Sequence, residues 1–212
     1  ILPETRPGGG GRNGGTLLRV NLRLLALPAF RVYALAGACA TTSFYAFLTA
    51  APFIFTVTLH RGQAEMSFYF IAPMLGYSLG SLLANRLIRR LGVDQLLLLG
   101  LVITMLGAAA FFAVVGAGWL SVAAVLAAML LFTVGGGIAS PMALSGAMEV
   151  LPGATGAAAG LYGFGQMAYG TFCTWVVGLY GANPALIASA VMLGSVLLSL
   201  TSFLLGNRRK AL

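Results

Sequence analysis

Long apolar runs leave this chain few places to put charge, and its densest charge cluster decides how the runs are cut. Residues 85–94, Asn-Arg-Leu-Ile-Arg-Arg-Leu-Gly-Val-Asp, hold Arg86, Arg89, Arg90 and Asp94 between stretches with almost no charge. An arginine at the centre of a hydrocarbon layer costs roughly 2.5–3.5 kcal/mol on insertion scales. Three arginines in ten residues predict a membrane-surface turn joining two spans. Lys and Arg accumulate on the cytoplasmic side, so the turn is expected to be cytoplasmic.

Composition fits this frame. Of the 212 residues, 59% are hydrophobic and 8% charged, where a soluble domain has about a quarter charged. The apolar runs are about twice the ten-residue alternating strands of a membrane barrel, so the expected class is an all-α membrane protein. The net charge of +8 comes from twelve Lys and Arg against four acids. Such a balance raises nucleic-acid binding, but the positives sit at the ends of apolar runs. Orientation in a lipid bilayer explains them, and no nucleic-acid partner is expected. Cys39 and Cys173 lie inside apolar runs without metal-ligand spacing, and read as small buried packing residues. A single Lys beside abundant Ala, Gly, Leu and Arg suggests a GC-rich coding genome and a bacterial source.

In chain order, residues 1–31 read as a cytoplasmic linker. The start at Ile1 carries no signal-peptide pattern and reads as a cut through a longer polypeptide. Residues 7–15, Pro-Gly-Gly-Gly-Gly-Arg-Asn-Gly-Gly, are flexible by composition, and residues 16–30, with Arg19 and Arg23 among leucines, suit an interfacial helix. Six transmembrane helices are expected within 32–206, at about 32–59, 68–87, 96–115, 120–148, 154–179 and 185–205, with a basic cytoplasmic tail at 207–212. Pro52 is expected to kink the first span, and Gly135-Gly136-Gly137 with Pro141 to bend or loosen the fourth. Gly76 and Gly80 in the second span, and Gly156, Gly160 and Gly163 in the fifth, read as sites of close helix packing. Turns are expected at His60-Arg61-Gly62-Gln63-Ala64-Glu65, at Gly116-Ala117-Gly118 before Trp119 as an interface anchor, at Glu149-Val150-Leu151-Pro152-Gly153 and at Gly181-Ala182-Asn183-Pro184. His60, in a turn, reads as solvated rather than as a proton relay.

Six spans place both termini on one side. Eleven Lys and Arg then fall inside and Arg61 alone outside, which predicts both termini cytoplasmic. Each trio of spans begins with its longest helix, holds an internal proline in it (Pro52 or Pro141), and follows it with a turn bearing one acid (Glu65 or Glu149). That is the pattern of a 3+3 inverted repeat in one half of a secondary transporter.

No catalytic constellation is present. One His, no nucleophile–base spacing and no paired carboxylates argue against an enzyme. Gly160-Leu161-Tyr162-Gly163-Phe164-Gly165 lies in an apolar span without a preceding strand and is not a dinucleotide fingerprint. The candidate site consists of polar stripes at helical spacing: Thr41, Tyr45, Thr49 and Pro52; Thr133, Gly137 and Ser140; Tyr162, Gln166 and Tyr169. They predict a central cavity lined by Tyr45, Thr49, Ser140, Tyr162, Gln166 and Tyr169. Hydroxyls of Thr and Ser are readily satisfied by their own backbone, so Gln166, whose unpaired burial is costly, carries the strongest signal. Arg86, Arg89, Arg90 and Asp94 read as topology anchors, or as a gating contact between a loop and neighbouring helix ends.

Several stretches resemble the major facilitator superfamily. Leu2-Pro3-Glu4-Thr5 and the basic linker resemble the end of the sixth helix of its drug-efflux proteins. Ala51-Pro52-Phe53-Ile54 is similar to the outer end of their seventh helix. Gly80 through Gly92 looks like the degenerate second copy of the family's basic loop motif. Met148-Glu149-Val150-Leu151-Pro152-Gly153-Ala154-Thr155-Gly156 and the residues on to Leu161 resemble the loop into helix eleven of the bicyclomycin/chloramphenicol (Bcr/CflA) resistance subfamily. The resemblance covers essentially the whole chain as the C-terminal six-helix half of a drug:proton antiporter. It implies a bacterial inner-membrane location, a proton gradient as driving force with no cofactor, a small amphipathic drug-like substrate and an N-terminal six-helix partner half. The chain departs from the family's pattern in two ways. Ala84 and Asn85 stand where an acid would precede Arg86, and no Asp or Glu lies inside a predicted span. A metabolite or sugar permease of the same fold, and a non-transporting membrane scaffold, remain alternatives.

The charge asymmetry makes a topological prediction. A cysteine replacing Arg209 should react with an impermeant maleimide only from the cytoplasmic side, and one replacing Gln63 only from outside. Labelling of both from one side contradicts the six-span reading.

Overall fold

The computed structural model describes residues 14–179 and 183–208. The Leu2-Pro3-Glu4-Thr5 stretch, the linker up to Asn13, Gly181 and Ala182 of the last turn, and residues 209–212 of the basic tail lie outside them. Among the described residues there is helix and no strand. Four stretches are long and apolar enough to cross a membrane: Pro28–Thr58, Gln63–Gly116, Val122–Glu149 and Pro184–Asn207.

Helix α1 (Gly14–Ala26) occupies the segment expected to form an interfacial helix. Leu24 is buried in the bundle while Leu18, Leu22 and Leu25 stay exposed. Helix α2 (Pro28–Thr42) opens on a proline, whose preset φ and missing N–H suit a first helical position. Thr41, Thr42 and Ser43 then turn their hydroxyls back onto the carbonyls of Gly37, Ala38 and Ala40. Three consecutive bonds of this kind loosen the ladder, and a second helix, α3 (Phe44–Pro52), follows. Pro52 supplies no N–H, and the chain beyond it widens into a π-helix, Phe53–Thr58. The Leu59 N–H donates five residues back, to Ile54. The kink expected at Pro52 thus takes the form of a change of helix type.

The polar turn after this first rod is shorter than expected. His60 takes a left-handed conformation, φ 51, but Gln63 already opens α4 (Gln63–Tyr69). The basic stretch 85–94 holds the expected turn, but narrowed to one residue. Helix α5 (Ile71–Gly116) runs through it, and only Gly92, at φ 72 and ψ 173, leaves helical geometry. Leu87, Ile88 and Leu91 pack against the bundle while Arg86, Arg89 and Arg90 are exposed. The segment is amphipathic, so burial keeps it helical to the last residue before a glycine that can reverse the chain. The turn expected at Gly116-Ala117-Gly118 is present: Gly118 has φ +71, and the N–H groups of Gly118 and Trp119 donate to the carbonyls of Val115 and Val114, a glycine-terminated helix stop. Trp119 is 78% exposed, as an interface anchor requires.

Helix α6 (Val122–Glu149) sets the direction of its neighbours. A Cβ added to Gly76 would meet Leu130 and Thr133, and one on Gly80 would meet Val134 and Gly137. Residues 71–91 therefore run parallel to α6. Gly100 lies against Gly135 and Ala139, and Gly107 against Phe132, so residues 93–116 run antiparallel to it. Gly92 is a chain reversal, and the two parts of α5 are separate rods. Helix α7 (Thr155–Leu179) runs parallel to the first rod, since Gln166 meets Thr41 and Gly170 meets Tyr45. Helix α8 (Pro184–Arg208) runs antiparallel to it, since Ser199 meets Ala36 and Gly206 meets Val32. The first rod is in turn antiparallel to α6, through Tyr33 on Gly146 and Gly37 on Ala143. Six rods thus alternate in direction along the chain.

Two expectations about glycine are overturned. Gly135-Gly136-Gly137 does not loosen α6, which stays one helix through Pro141. Gly135 and Gly137 lie about 200° apart around the axis. Gly135 receives Gly100 and Thr104 on one side, and Gly137 receives Tyr77 and Ser81 on the other. Neighbours on both sides keep the helix unbroken. Conversely, Gly156, Gly160 and Gly163 of α7 pack against nothing within 4 Å of a Cβ position, so the expected close-packed stripe of the fifth span is an open face among the described residues.

The squeeze on α6 predicts a graded glycine series. Gly135→Val and Gly137→Val should each lower stability by about 1–3 kcal/mol or more, while Gly136→Ala, which meets only open space, should be neutral or slightly stabilising. Thermal unfolding of the purified variants in detergent measures the order.

Candidate functional site

Near the middle of the bundle, four elements bring polar groups together. The Gln166 amide donates to Thr41 Oγ1 at 3.0 Å and to the Tyr162 hydroxyl at 3.2 Å. Thr41 spends its own hydrogen on the Gly37 carbonyl, 2.7 Å away, so it accepts from the amide. Tyr162 is 3% exposed, and its hydroxyl lies against Gly37, where a Cβ would clash. Ser140 of α6 stands beside the same phenol. Both Gln166 amide hydrogens are used, and Oε1 takes no hydrogen bond from a described residue. The cluster therefore offers an acceptor that no described group fills.

A cavity of about 110 Å³ opens beside this cluster, walled by Thr41 and Phe44 of the first rod, Pro73 and Tyr77 of α5, and Phe132 and Thr133 of α6, among others. Thr41 belongs to both the hydrogen-bonded cluster and the cavity wall. The polar groups of the first rod, of residues 71–91, of α6 and of α7 thus converge on one interior region. The third rod and α8 do not contribute to it.

A second polar cluster lies further along α7. Ser195 of α8 donates to the Val191 carbonyl at 2.5 Å, so the Tyr169 hydroxyl, 2.7 Å from Ser195, is the donor of that pair. Cys39 and Cys173 are buried next to Tyr169 and unbonded to each other, as packing residues should be. Tyr169 is therefore tied to α8 and separated from the Gln166 cluster. The other predicted residues also divide. Tyr45 is 39% exposed and lays its ring over Gly170. The Thr49 and Thr133 hydroxyls return to their own helix, on Tyr45 O at 2.9 Å and Met129 O at 2.9 Å. Of the six predicted cavity residues, Ser140, Tyr162 and Gln166 come together, while Tyr45, Thr49 and Tyr169 do not join them.

At the Gly92 end of the bundle, Asp94 sits in the first turn after the reversal, where a carboxylate suits the positive end of a helix. The Tyr33 hydroxyl donates to it at 2.5 Å. Tyr33 is buried with its ring over Gly146 and Phe203 beside it, at a centroid distance of 6.3 Å. This contact joins α2, α5, α6 and α8. Arg86, Arg89 and Arg90 are exposed and form no ion pair with a described residue; the Arg61–Glu65 pair, at 4.0 Å and half exposed, lies at the opposite end of the bundle.

Tyr33, Tyr77 and Ser195 were not singled out by sequence. Tyr33 and Ser195 fall on no polar stripe, and their partners lie 61 and 26 residues away. Tyr77 stands between Gly76 and Ser78, four residues from Pro73, and its proximity to small residues was the one local signal. Comparison with protein-family models and with curated proteins finds no match.

The Tyr33–Asp94 bond carries a prediction. Tyr33→Phe keeps the ring on Gly146 but removes a hydrogen bond to a charged group, which should cost about 1.5–3 kcal/mol. The midpoint of thermal unfolding should fall, with little change in membrane abundance.

Proposed function

We propose that the chain is the C-terminal six-helix half of a proton-coupled multidrug efflux transporter of the major facilitator type, akin to the bicyclomycin/chloramphenicol resistance subfamily. The observation that carries this reading is the Gln166–Thr41–Tyr162 cluster beside a cavity in the interior of an apolar bundle. An amide in hydrocarbon is costly unless paired, and a scaffold needs none there. In alternating access, two such halves rock about a shared central site. The elements that wall the cavity, together with α7, would form this half's side of it. Aromatic faces and one amide, with no fixed charge, suit flat apolar or weakly cationic compounds. No cation lines the cavity, which disfavours a permease for a carboxylate.

The alternating direction of the six rods supports both termini on one side, and the eleven-to-one distribution of Lys and Arg supports the cytoplasmic side of a bacterial inner membrane. Glu65, Asp94 and Glu149 each lie within about a turn of a helix end. A proton-carrying carboxylate would then come from the N-terminal half. Arg86, Arg89 and Arg90, exposed at the reversal, would face that half or the lipid headgroups.

Gln166→Leu in the protein joined to its N-terminal half tests the reading. Thr41 keeps its bond to Gly37, and Tyr162 keeps Ser140 beside it, so the variant should fold and insert normally. Losing one substrate hydrogen bond should shift resistance to individual compounds by several-fold and unequally, at roughly 1.4 kcal/mol per tenfold in affinity. Uniform loss across a compound panel, alongside reduced membrane abundance, would make Gln166 a packing residue. An unchanged profile would remove it from the site.

A further inference from the structure

A second cavity is larger than the one beside Gln166. A groove of about 670 Å³ lies between the first two turns of α2 and the last turns of α8. The two helices touch through Ser199 on Ala36 and Gly206 on Val32, and the groove lies along this contact. The floor is apolar, formed by Val32, Leu35, Phe203 and Leu205, and Leu35 and Leu205 are exposed. The rim is polar, with Arg31, Ser202 and Asn207, and no acidic residue among the described residues lines the groove. Arg31 is exposed and pairs with no acid among the described residues.

Position adds to this chemistry. The groove lies where two apolar, membrane-length rods end. There a molecule with an acyl portion would lie along Leu35 and Leu205, and its headgroup would reach Arg31. The volume falls within the range of built ligand sites rather than surface roughness. Basic pockets between membrane helices at this depth recognise anionic headgroups.

We infer that the α2–α8 groove is a binding site for one anionic diacyl phospholipid, whose phosphate pairs with Arg31 and whose chains lie on the Leu35–Phe203–Leu205 floor. The occupant is a lipid rather than a peptide or a free anion. A cation without an acid partner among the described residues calls for negative charge, and an exposed apolar floor at the membrane boundary calls for hydrocarbon beneath it. This site is separate from the Gln166 cluster and stands whether or not the chain transports drugs.

The test uses the purified full-length protein in mixed micelles holding equal amounts of phosphatidylglycerol and phosphatidylcholine, with retained lipid read by native mass spectrometry. The wild type should retain one phosphatidylglycerol preferentially, and Arg31→Gln should reduce the preference by about fivefold, the factor one surface cation supplies. Leu35→Gln, on the exposed wall, should lower retention of both lipids without changing charge. Arg86→Gln, an exposed cation elsewhere, should change nothing. Equal loss in Arg86→Gln, or full preference in Arg31→Gln, overturns the inference. Displacement of the lipid by millimolar inorganic phosphate would mark a free-anion site, and a lipid-free dimer would mark an interface between copies; either overturns it. Unfolding midpoints within a degree or two of wild type show that the variants compared are folded.

Discussion

Close backbone contact on two sides of α6 is the constraint on which the arrangement depends. Without a hydrophobic drive between helices in lipid, association relies on dispersion between surfaces that can approach closely. Gly135 and Gly137 present bare backbone to opposite neighbours, and Gly76, Gly80, Gly100 and Gly107 answer them from the two parts of α5. A glycine triplet that would weaken an isolated helix is here held by packing from both sides. The same contact fixes the directions of two rods, and the reversal at Gly92 follows from it.

The interior polar groups of the described residues are few, and most of them are hydrogen-bonded. Thr41, Thr42, Thr104 and Thr133 satisfy themselves on carbonyls of their own helix. Only a small set reaches across: Gln166 to Thr41, Tyr169 to Ser195, Ser199 to Ala36 and Tyr33 to Asp94. Each of these joins two different rods, and all but the Tyr169–Ser195 bond join rods that are not consecutive in the chain. In a low-dielectric bundle such bonds select one mutual placement of the helices, because a slipped register would leave the groups unpaired. The Gln166 bond differs from the others because an open cavity adjoins it and its carbonyl oxygen remains available.

The two ends of the bundle are built differently. At the Gly92 end, an aromatic residue, an acid and a glycine, Tyr33, Asp94 and Gly146, lock four helices together, and the arginines are left facing outward. At the opposite end, Pro52 gives way to a π-helix, His60 turns the chain, and the Arg61–Glu65 pair with Tyr69 bonded to Glu65 lies exposed. Exposed pairs of this kind contribute little stability. Beneath that exposed pair, the same end is closed by a buried aromatic core, Phe47 against Phe55, Phe70 and Phe111.

The sequence alone determined the membrane class, the approximate ends of the helices, the stop at Gly118 and the standing of Gln166 as the polar residue in most need of a partner. Hydropathy, charge placement and residue type act locally, and a membrane leaves the backbone little choice but helix. It misread what depends on neighbours. Residues 85–94 were expected to turn throughout; the reversal is within them, but burial of Leu87, Ile88 and Leu91 keeps the segment helical up to Gly92 and confines the turn to it. The glycines of α6 looked loose and those of α7 tightly packed, and the reverse holds, because a glycine permits close approach without saying whether a helix is there to make it. Tyr45 and Tyr169 shared stripes with the cavity residues, yet a stripe at spacings of three and four spans more than one neighbour, and each went to a different helix. Which groups meet was decided by the tertiary structure: periodicity marks a face, and only packing supplies the partner.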